Sequence, residues 1–152
     1  MNIEHSMSNY EAKGLNIEYP MSSVNAKKEN KSRKYDLEGR LINFAVRIIN
    51  IVKALPNTRS GNHIAGQLVR CGTAAAPNYG EAQSAESRKD FIHKMKIALK
   101  ELCETKVWLK IIQCKNLIKT EEELKALIGE CDELISIFFT SIKTAQKNKK
   151  VD

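Results

Sequence analysis

The stretch FIHKMKIALKELCETKVWLKII, residues 91–112, has apolar or small side chains at alternating spacings of four and three residues. This repeat places one side chain per turn on the same face of a helix, which predicts a long amphipathic helix ending near Lys115. Ser84 or Ser87 is the predicted N-cap of this helix. The stripe consists of Phe91, Met95, Ala98, Leu102, Thr105, Leu109 and Ile112.

Two more apolar stripes precede this helix and predict two earlier helices. The first covers residues 36–55 and stops at Pro56, because proline disfavours a helical conformation in the residue before it. The second begins near residues 61–62, where Ser60 or Asn62 is the predicted cap.

Small residues and a proline mark the end of this second helix. Residues 74–76 are alanines, which let a neighbouring helix approach closely. Pro77 lacks an N–H group and clashes with the preceding turn, so we expect it to kink the helix or end it.

A fourth helix is predicted to begin at Thr120. The sequence TEEE indicates a capping box between Thr120 and Glu123, with acidic side chains at the positive end of the helix dipole. The predicted core face consists of Leu124, Leu127, Cys131, Leu134, Phe138 and Ile142.

The four predicted helices define one domain at residues 35–145. Amphipathic helices with short connections bury their stripes against one another, so the predicted fold is all-α, an antiparallel up-and-down four-helix bundle, with a looser helical array as the alternative. Residues 1–34 are polar and aperiodic, which predicts a flexible N-terminal arm because they bury too little apolar surface to offset ordering. Residues 146–152 are predicted to be a basic tail.

The composition limits the classes of function. The 152 residues carry a net charge of +7, which favours a polyanionic partner. No signal-peptide run or membrane-spanning stretch is present, so we expect a cytoplasmic protein with no membrane contact. The four cysteines form no CxxC motif and have no histidine at zinc-finger spacing, so we expect reduced, half-buried core thiols, no metal and no cofactor.

Basic residues populate the predicted outer face of the third helix. Such an array suits phosphate contacts, which give salt-sensitive affinity with little sequence choice. The alternative is an ordinary solvated lysine-rich face, since no RNA-recognition module or pattern of stacking aromatic residues is present. The candidate nucleic-acid-binding residues are Arg88, Lys89, Lys96, Lys100, Lys106 and Lys110.

A second stripe on the third helix predicts a subunit interface. Glu101, Glu104 and Trp108 follow one another at single-turn spacing, so an aromatic anchor is flanked by carboxylates that can pair with Arg70 or a lysine. The alternative is a solvated face whose Trp ring covers the adjacent helix. Asn78 and Glu81 are assigned to the same candidate interface, although side-chain to backbone bonds at a helix junction are their simpler role.

Catalysis has weak support in the sequence. His63 and His93 are the histidines of the predicted bundle, and a nearby carboxylate could form an acid–base pair with either. However, His93 lies among lysines at a flank position. Residues 70–91 contain neither the GxxxxGK[ST] of a P-loop nor the GxGxxG of a dinucleotide fold. We therefore predict a protein that is not an enzyme, without catalytic residues.

Residues 70–112, RCGTAAAPNYGEAQSAESRKDFIHKMKIALKELCETKVWLKII, together with LPNTRSGNHIAGQLV before them, resemble the four-helix-bundle family of 23S rRNA intervening-sequence proteins. The chain departs from the family pattern at Cys71, Ala74 and Pro77. The matching positions are Gln67, Leu68, Arg70, Gly72, Thr73, Asn78, Glu81, Ala82, Ser87, Phe91, Ile97 to Glu101, Glu104, Thr105, Trp108 and Leu109.

The resemblance implies a fold more than a reaction, because no enzymatic activity is established for the family. A related branch, the accessory variability determinant proteins of diversity-generating retroelements, forms a barrel-shaped pentamer that binds nucleic acid and a reverse transcriptase. By analogy with that pentamer, the resemblance implies a ring-like homo-oligomer, with the number of subunits left open. We predict a self-associating protein that binds RNA or other nucleic acid. The alternative is a protein–protein adaptor that docks an acidic partner.

Overall fold

The computed structural model describes residues 36–148, which form four helices and contain no strand. Each helix contacts the next one in the chain, and α4 contacts α1, which closes the bundle. The predicted all-α up-and-down four-helix bundle is therefore confirmed. The predicted arm at residues 1–34 and the last four residues of the predicted tail lie outside the described residues. The helices are α1 (Leu37–Ala54), α2 (Arg59–Gln83), α3 (Arg88–Cys114) and α4 (Glu121–Lys147).

The predicted apolar stripes form one core. On α3, every residue of the stripe is buried except Phe91, which is half-buried, and on α4 the whole predicted core face is buried. Burying one Leu or Phe side chain contributes on the order of 2 kcal/mol, so this core dominates the stability of the fold. Thr105 is the one buried polar residue among the described residues, and its hydroxyl donates to the Glu101 carbonyl at 2.7 Å.

The α1–α2 connection corrects the predicted cap. Helix α2 begins at Arg59, and its N-cap is Thr58, whose Oγ1 accepts from the Gly61 N–H at 3.0 Å. Ser60 and Asn62, the predicted caps, lie inside the first turn. The first turn of α2 packs closely on the backbone of the preceding loop. A side chain at position 61 would clash there, since a Cβ on Gly61 would lie 2.0 Å from the Pro56 carbonyl oxygen. Several capping side chains follow Pro56, and the sequence alone did not distinguish them.

Helix α2 continues through Pro77 to Gln83, so of the two predicted effects of this proline, a kink in the helix or its end, the end is excluded. Pro77 is exposed, and its ring therefore does not disturb the core. The junction between α2 and α3 lies at residues 84–87. Close packing occurs earlier, where a Cβ on Gly72 would lie 2.6 Å from Ile48 Cγ2. Glycine at this position lets α1 and α2 approach each other closely.

The caps of the last two helices follow the sequence in part. Ser87, one of the two predicted caps of α3, accepts from the Asp90 N–H at 3.1 Å. Thr120 is the N-cap residue of α4, but its side chain makes no capping bond, so the predicted capping box is not formed. Glu123 instead accepts from Arg47 of α1 at 2.8 Å. A tertiary ion pair thus replaces the local motif.

Candidate nucleic-acid interface

The α2–α3 seam is a polar cluster formed by Arg70, Glu101, Glu104 and Trp108. Arg70 Nη2 donates to Glu104 Oε1 at 2.5 Å, and its Nη1 lies 3.6 Å from Glu101 Oε2. Trp108 Nε1 donates to the same Glu104 oxygen at 3.4 Å. The structure therefore brings together four of the six predicted interface residues. The carboxylates pair with Arg70 of the same chain, which ties α2 to α3.

Glu101 has an unusual environment within the seam. Its side chain is only 18% exposed, and its Oε2 is buried without a hydrogen-bond partner. The Arg70 guanidinium is the cation closest to this oxygen among the ion pairs of residues 36–148, although the Arg70 side chain itself is 54% exposed. The His63 and Trp108 rings make an edge-to-face contact, with 5.9 Å between ring centroids. His63 thus contacts the aromatic anchor rather than a carboxylate.

The other two predicted interface residues lie further along the same two helices. Lys94 Nζ donates to Glu81 Oε2 at 2.5 Å, so this pair also links α2 and α3. The hydrogen bond to Glu81 raises the pKa of Lys94, which keeps the ammonium charged. Asn78 Nδ2 donates to the Ala74 carbonyl at 2.8 Å within α2. Asn78 and Glu81 are therefore part of helix α2, before the predicted junction.

The basic face of α3 consists of Lys89, Lys96, Lys100 and Lys110, all exposed on the side that faces away from the core. None of the ion pairs formed within residues 36–148 involves these four lysines. At 1.5 Å per residue, the face extends for about 30 Å along the helix. It presents uncompensated positive charge over a length that spans several phosphates of a nucleic-acid strand.

The remaining two candidate residues face α4. Lys106 forms an ion pair with Asp132, and the hydrogen bond in this pair raises the pKa of the Lys106 ammonium. Arg88 Nη1 donates to the Asn148 carbonyl at 2.8 Å. These two side chains are engaged in contacts that hold α3 against α4. The predicted set of six is therefore divided into four outward lysines and two residues at the flank.

An exposed apolar patch continues the basic face toward the end of α3, and it was missed in the sequence. The α3 patch consists of Val107, Ile111 and Cys114, and with Lys110 and Lys115 it lines a shallow groove of about 350 Å³. Val107 is 57% exposed. The signal was present in the helical periodicity, because Val107 and Ile111 lie opposite the buried heptad.

Three further apolar side chains are exposed on α1 and α2. They are Val46 and Ile49 of α1 and Val69 of α2, each more than a third exposed. Apolar side chains exposed on neighbouring helices are candidates for contact with another macromolecule.

The cysteines differ in environment, which corrects the expectation of four half-buried thiols. Cys71 and Cys131 are buried, whereas Cys103 and Cys114 are exposed on the outer side of α3. Burial raises the pKa of the Cys71 thiol and raises that of Cys131 to about 12. All four are free thiols. Cys103 lies near the basic face, and Cys114 belongs to the α3 patch.

Residues 36–148 contain no group of three or more His, Cys, Asp or Glu side chains arranged to hold a metal ion. His93, the second candidate for acid–base chemistry, is exposed on α3. None of the helices in this part of the chain is long and apolar enough to span a bilayer.

The fold and these surfaces define a four-helix-bundle protein with an ion-paired seam and a basic outer face. The chain belongs to the family of 23S rRNA-intervening sequence proteins, whose model matches residues 33–139. This confirms the resemblance found in the sequence. A solved structure from Bacteroides thetaiotaomicron, described as a protein of unknown function from the S23 ribosomal protein family, is 35% identical with a TM-score of 0.64. The match covers 70% of this chain and 97% of that one. None of the curated proteins matches this sequence.

Proposed function

We propose that this protein is a cytoplasmic, non-enzymatic, self-associating bundle that binds RNA or other nucleic acid through the basic face of α3. The observation that carries the proposal is the exposure of Lys89, Lys96, Lys100 and Lys110 on one side of a single rigid helix. RNA is the favoured ligand because the family takes its name from an rRNA insert.

The charge distribution supports an oriented contact with a polyanion. Between residues 121 and 142 the chain has six acidic residues and one lysine, so this part of α4 attracts phosphates less than α3 does. The basic face belongs to the neighbouring helix and points outward. A strand of nucleic acid is therefore attracted to one side of the bundle, and the release of its counterions makes the affinity dependent on salt.

Self-association would strengthen this contact, because each added copy contributes another basic face. The α2–α3 seam, with Trp108 as anchor, remains the predicted interface, and the exposed apolar side chains of Val46, Ile49 and Val69 are a second candidate. The resemblance implies a ring-like homo-oligomer, and a pentamer is the form of the related branch. Linked copies bind one strand more tightly than separate copies do, through effective concentration.

The experiment is RNA binding by the full chain with and without reversal of charge on the basic face. We expect Lys96→Glu combined with Lys100→Glu to abolish binding of a generic single-stranded RNA. The matched control is Lys53→Glu combined with Lys125→Glu, which changes the net charge equally at exposed positions on α1 and α4. Equal loss of affinity in both variants would mean that net charge alone attracts RNA. Unchanged affinity in the first variant would refute the assigned face.

A second candidate function is favoured by the α3 patch. The groove beside Val107 and Ile111 is flanked by Lys110 and Lys115, a combination that suits an acidic protein partner with an apolar anchor. An adaptor that binds such a partner requires the apolar side chains, whereas RNA binding requires only the lysines. We expect Val107→Ser with Ile111→Ser to leave RNA affinity unchanged. Absence of RNA binding by the unaltered chain across all salt concentrations would make the adaptor the leading function.

A further inference from the structure

Within residues 36–148, one end of the bundle has three helices instead of four. Arg40, in the first turn of α1, donates to Glu130 of α4 at 2.6 and 2.9 Å and also pairs with Glu133. Helix α1 begins three residues before Arg40, at Leu37, whereas α4 continues to Lys147. The last part of α4 therefore runs on past the start of α1. At this end none of the described helices occupies the position in line with α1.

A groove of about 710 Å³ lies in this position. Its floor includes Phe91, the residue of the α3 stripe that is only half-buried, because α1 does not extend far enough to cover it. The lining residues within 36–148 are apolar or hydroxyl-bearing, and none of them is charged. It consists of Phe91, Ser136, Ile137, Thr140, Ser141, Thr144 and Ala145.

We propose that residues 15–21 of this same chain, LNIEYPM, occupy the groove. The groove opens where α1 begins, so the preceding chain enters beside it. Residues 25–34 are mostly polar and basic and do not match an uncharged groove, whereas residues 15–21 alternate apolar and other residues. The apolar positions are Leu15, Ile17, Tyr19 and Met21, which share one side of an extended chain.

The length of the connection fits this occupant. Residues 22–36 join the segment to α1, and at about 3.3 Å per residue they reach up to roughly 50 Å. The groove runs from Ser136 to Ala145, about 14 Å along α4. A short tether of this kind gives an effective concentration on the order of millimolar, so the segment needs only modest intrinsic affinity.

The segment lies outside the part of the chain that defines the family. The family model begins at residue 33, and 70% of this chain suffices to cover 97% of the Bacteroides protein. The segment from this chain would complete the open end of the bundle and bury Phe91. This inference does not depend on nucleic-acid binding.

Disulfide trapping in the full chain tests the inference. In a background of Cys103→Ser and Cys114→Ser, which removes the exposed thiols, Tyr19→Cys is combined with Thr140→Cys in the groove. The control combines Tyr19→Cys with Lys125→Cys, an exposed position at the other end of α4. Under mild oxidation we expect the intramolecular disulfide to form about tenfold faster with Thr140→Cys, because docking raises the local concentration above that of the tether alone. Mass spectrometry of the linked peptides identifies the bond.

A further variant separates docking from chance collision. Adding Leu15→Ser and Ile17→Ser leaves the tether unchanged and should bring the Thr140→Cys rate down to that of the control pair. Equal rates for both pairs in the first experiment would overturn the proposal. A disulfide formed only between two chains would overturn it too, and would assign the groove to a second copy.

Discussion

Helix α3 has two charged faces that differ in where their charges find partners. On the α2–α3 seam, Glu101 and Glu104 are paired with Arg70 across a helix interface. On the basic face, Lys96 and Lys100 take part in none of the ion pairs formed within residues 36–148. The same helix therefore uses its charges in two ways. The seam fixes the relative position of α2 and α3, whereas the outer lysines add little to the fold.

This difference separates structural charges from charges that can serve a ligand. A charge paired across two helices cannot leave its partner without cost to the fold, especially when one member is buried, as Glu101 is. A lysine that is exposed to water can contact a phosphate, and this contact releases counterions from the nucleic acid. Sequence composition counts both kinds alike, and the structure distinguishes them.

The largest expected effect is the difference in reaction rate between the buried and the exposed cysteines. At pH 8, a thiol with a pKa of about 12, as in Cys131, is ionised in about one molecule in ten thousand, and only the thiolate reacts. We expect Cys103 and Cys114 to react rapidly with an aromatic disulfide reagent. Cys131 and Cys71 should react at least about 1000-fold more slowly, because burial adds to their low ionisation. The measurement is a time course of thiol titration.

Denaturant supplies the control for this titration, since all four thiols become accessible in the unfolded chain. Rapid reaction of all four in the native protein would contradict the burial of Cys71 and Cys131. The core of the bundle would then be accessible to the reagent in the native protein.

The next largest effect is the salt dependence of RNA affinity. Four lysines that contact single-stranded phosphates give a slope of about −3 in log K against log salt, or a loss of roughly 50-fold from about 50 to 200 mM salt. Replacing Lys96 and Lys100 by Gln should reduce the slope by about half. Replacing Lys53 and Lys125 by Gln, at exposed positions on α1 and α4, should leave it unchanged. A slope that responds equally to both double variants would mean that the basic face has no special part in binding.

A smaller effect is expected when the seam loses its cation. Arg70→Met keeps the aliphatic stem but leaves the buried Glu101 Oε2 without its nearest positive charge, which should lower the free energy of unfolding by about 1–2 kcal/mol. The measurement is urea unfolding followed by circular dichroism. Arg70→Met combined with Glu101→Gln should recover part of the loss, because an uncharged amide is less costly to bury. Absence of any loss would show that the seam is an exposed ion pair of little value.

The four helices could be predicted from the sequence because apolar periodicity reports burial directly, and the stripe from Met95 to Ile112 is buried as expected. Helix ends were less predictable. The cap at Thr58 competes with other polar side chains in the same loop, and Glu123 prefers Arg47 of another helix to its own N-terminus. Pro77 shows a different limit, because a proline on the solvent side of a packed helix is tolerated when tertiary contacts hold the helix on both sides.

The site was only partly accessible to sequence reasoning. The pairing of Arg70 with Glu104 could be proposed from residue types, but whether the partners belong to one chain depends on how α2 and α3 pack. Lys106 and Lys110 are both basic positions of α3, yet only Lys106 reaches an acidic residue of α4. The exposed Val107 was missed because lysines dominate the outer face of α3 in the sequence.

The smallest expected effect is the change in folding stability when a lysine of the basic face is replaced. It tests the comparison of the two faces most directly. Lys100→Met is the matched counterpart of Arg70→Met, since each removes one cation from an exposed part of the same bundle. We expect the free energy of unfolding to change by less than about 0.5 kcal/mol, because Lys100 is exposed and forms no ion pair within residues 36–148. Urea unfolding of the two variants side by side measures the difference. A loss as large as that of Arg70→Met would mean that the basic face also serves the fold, and its lysines would then not be available to a ligand without cost.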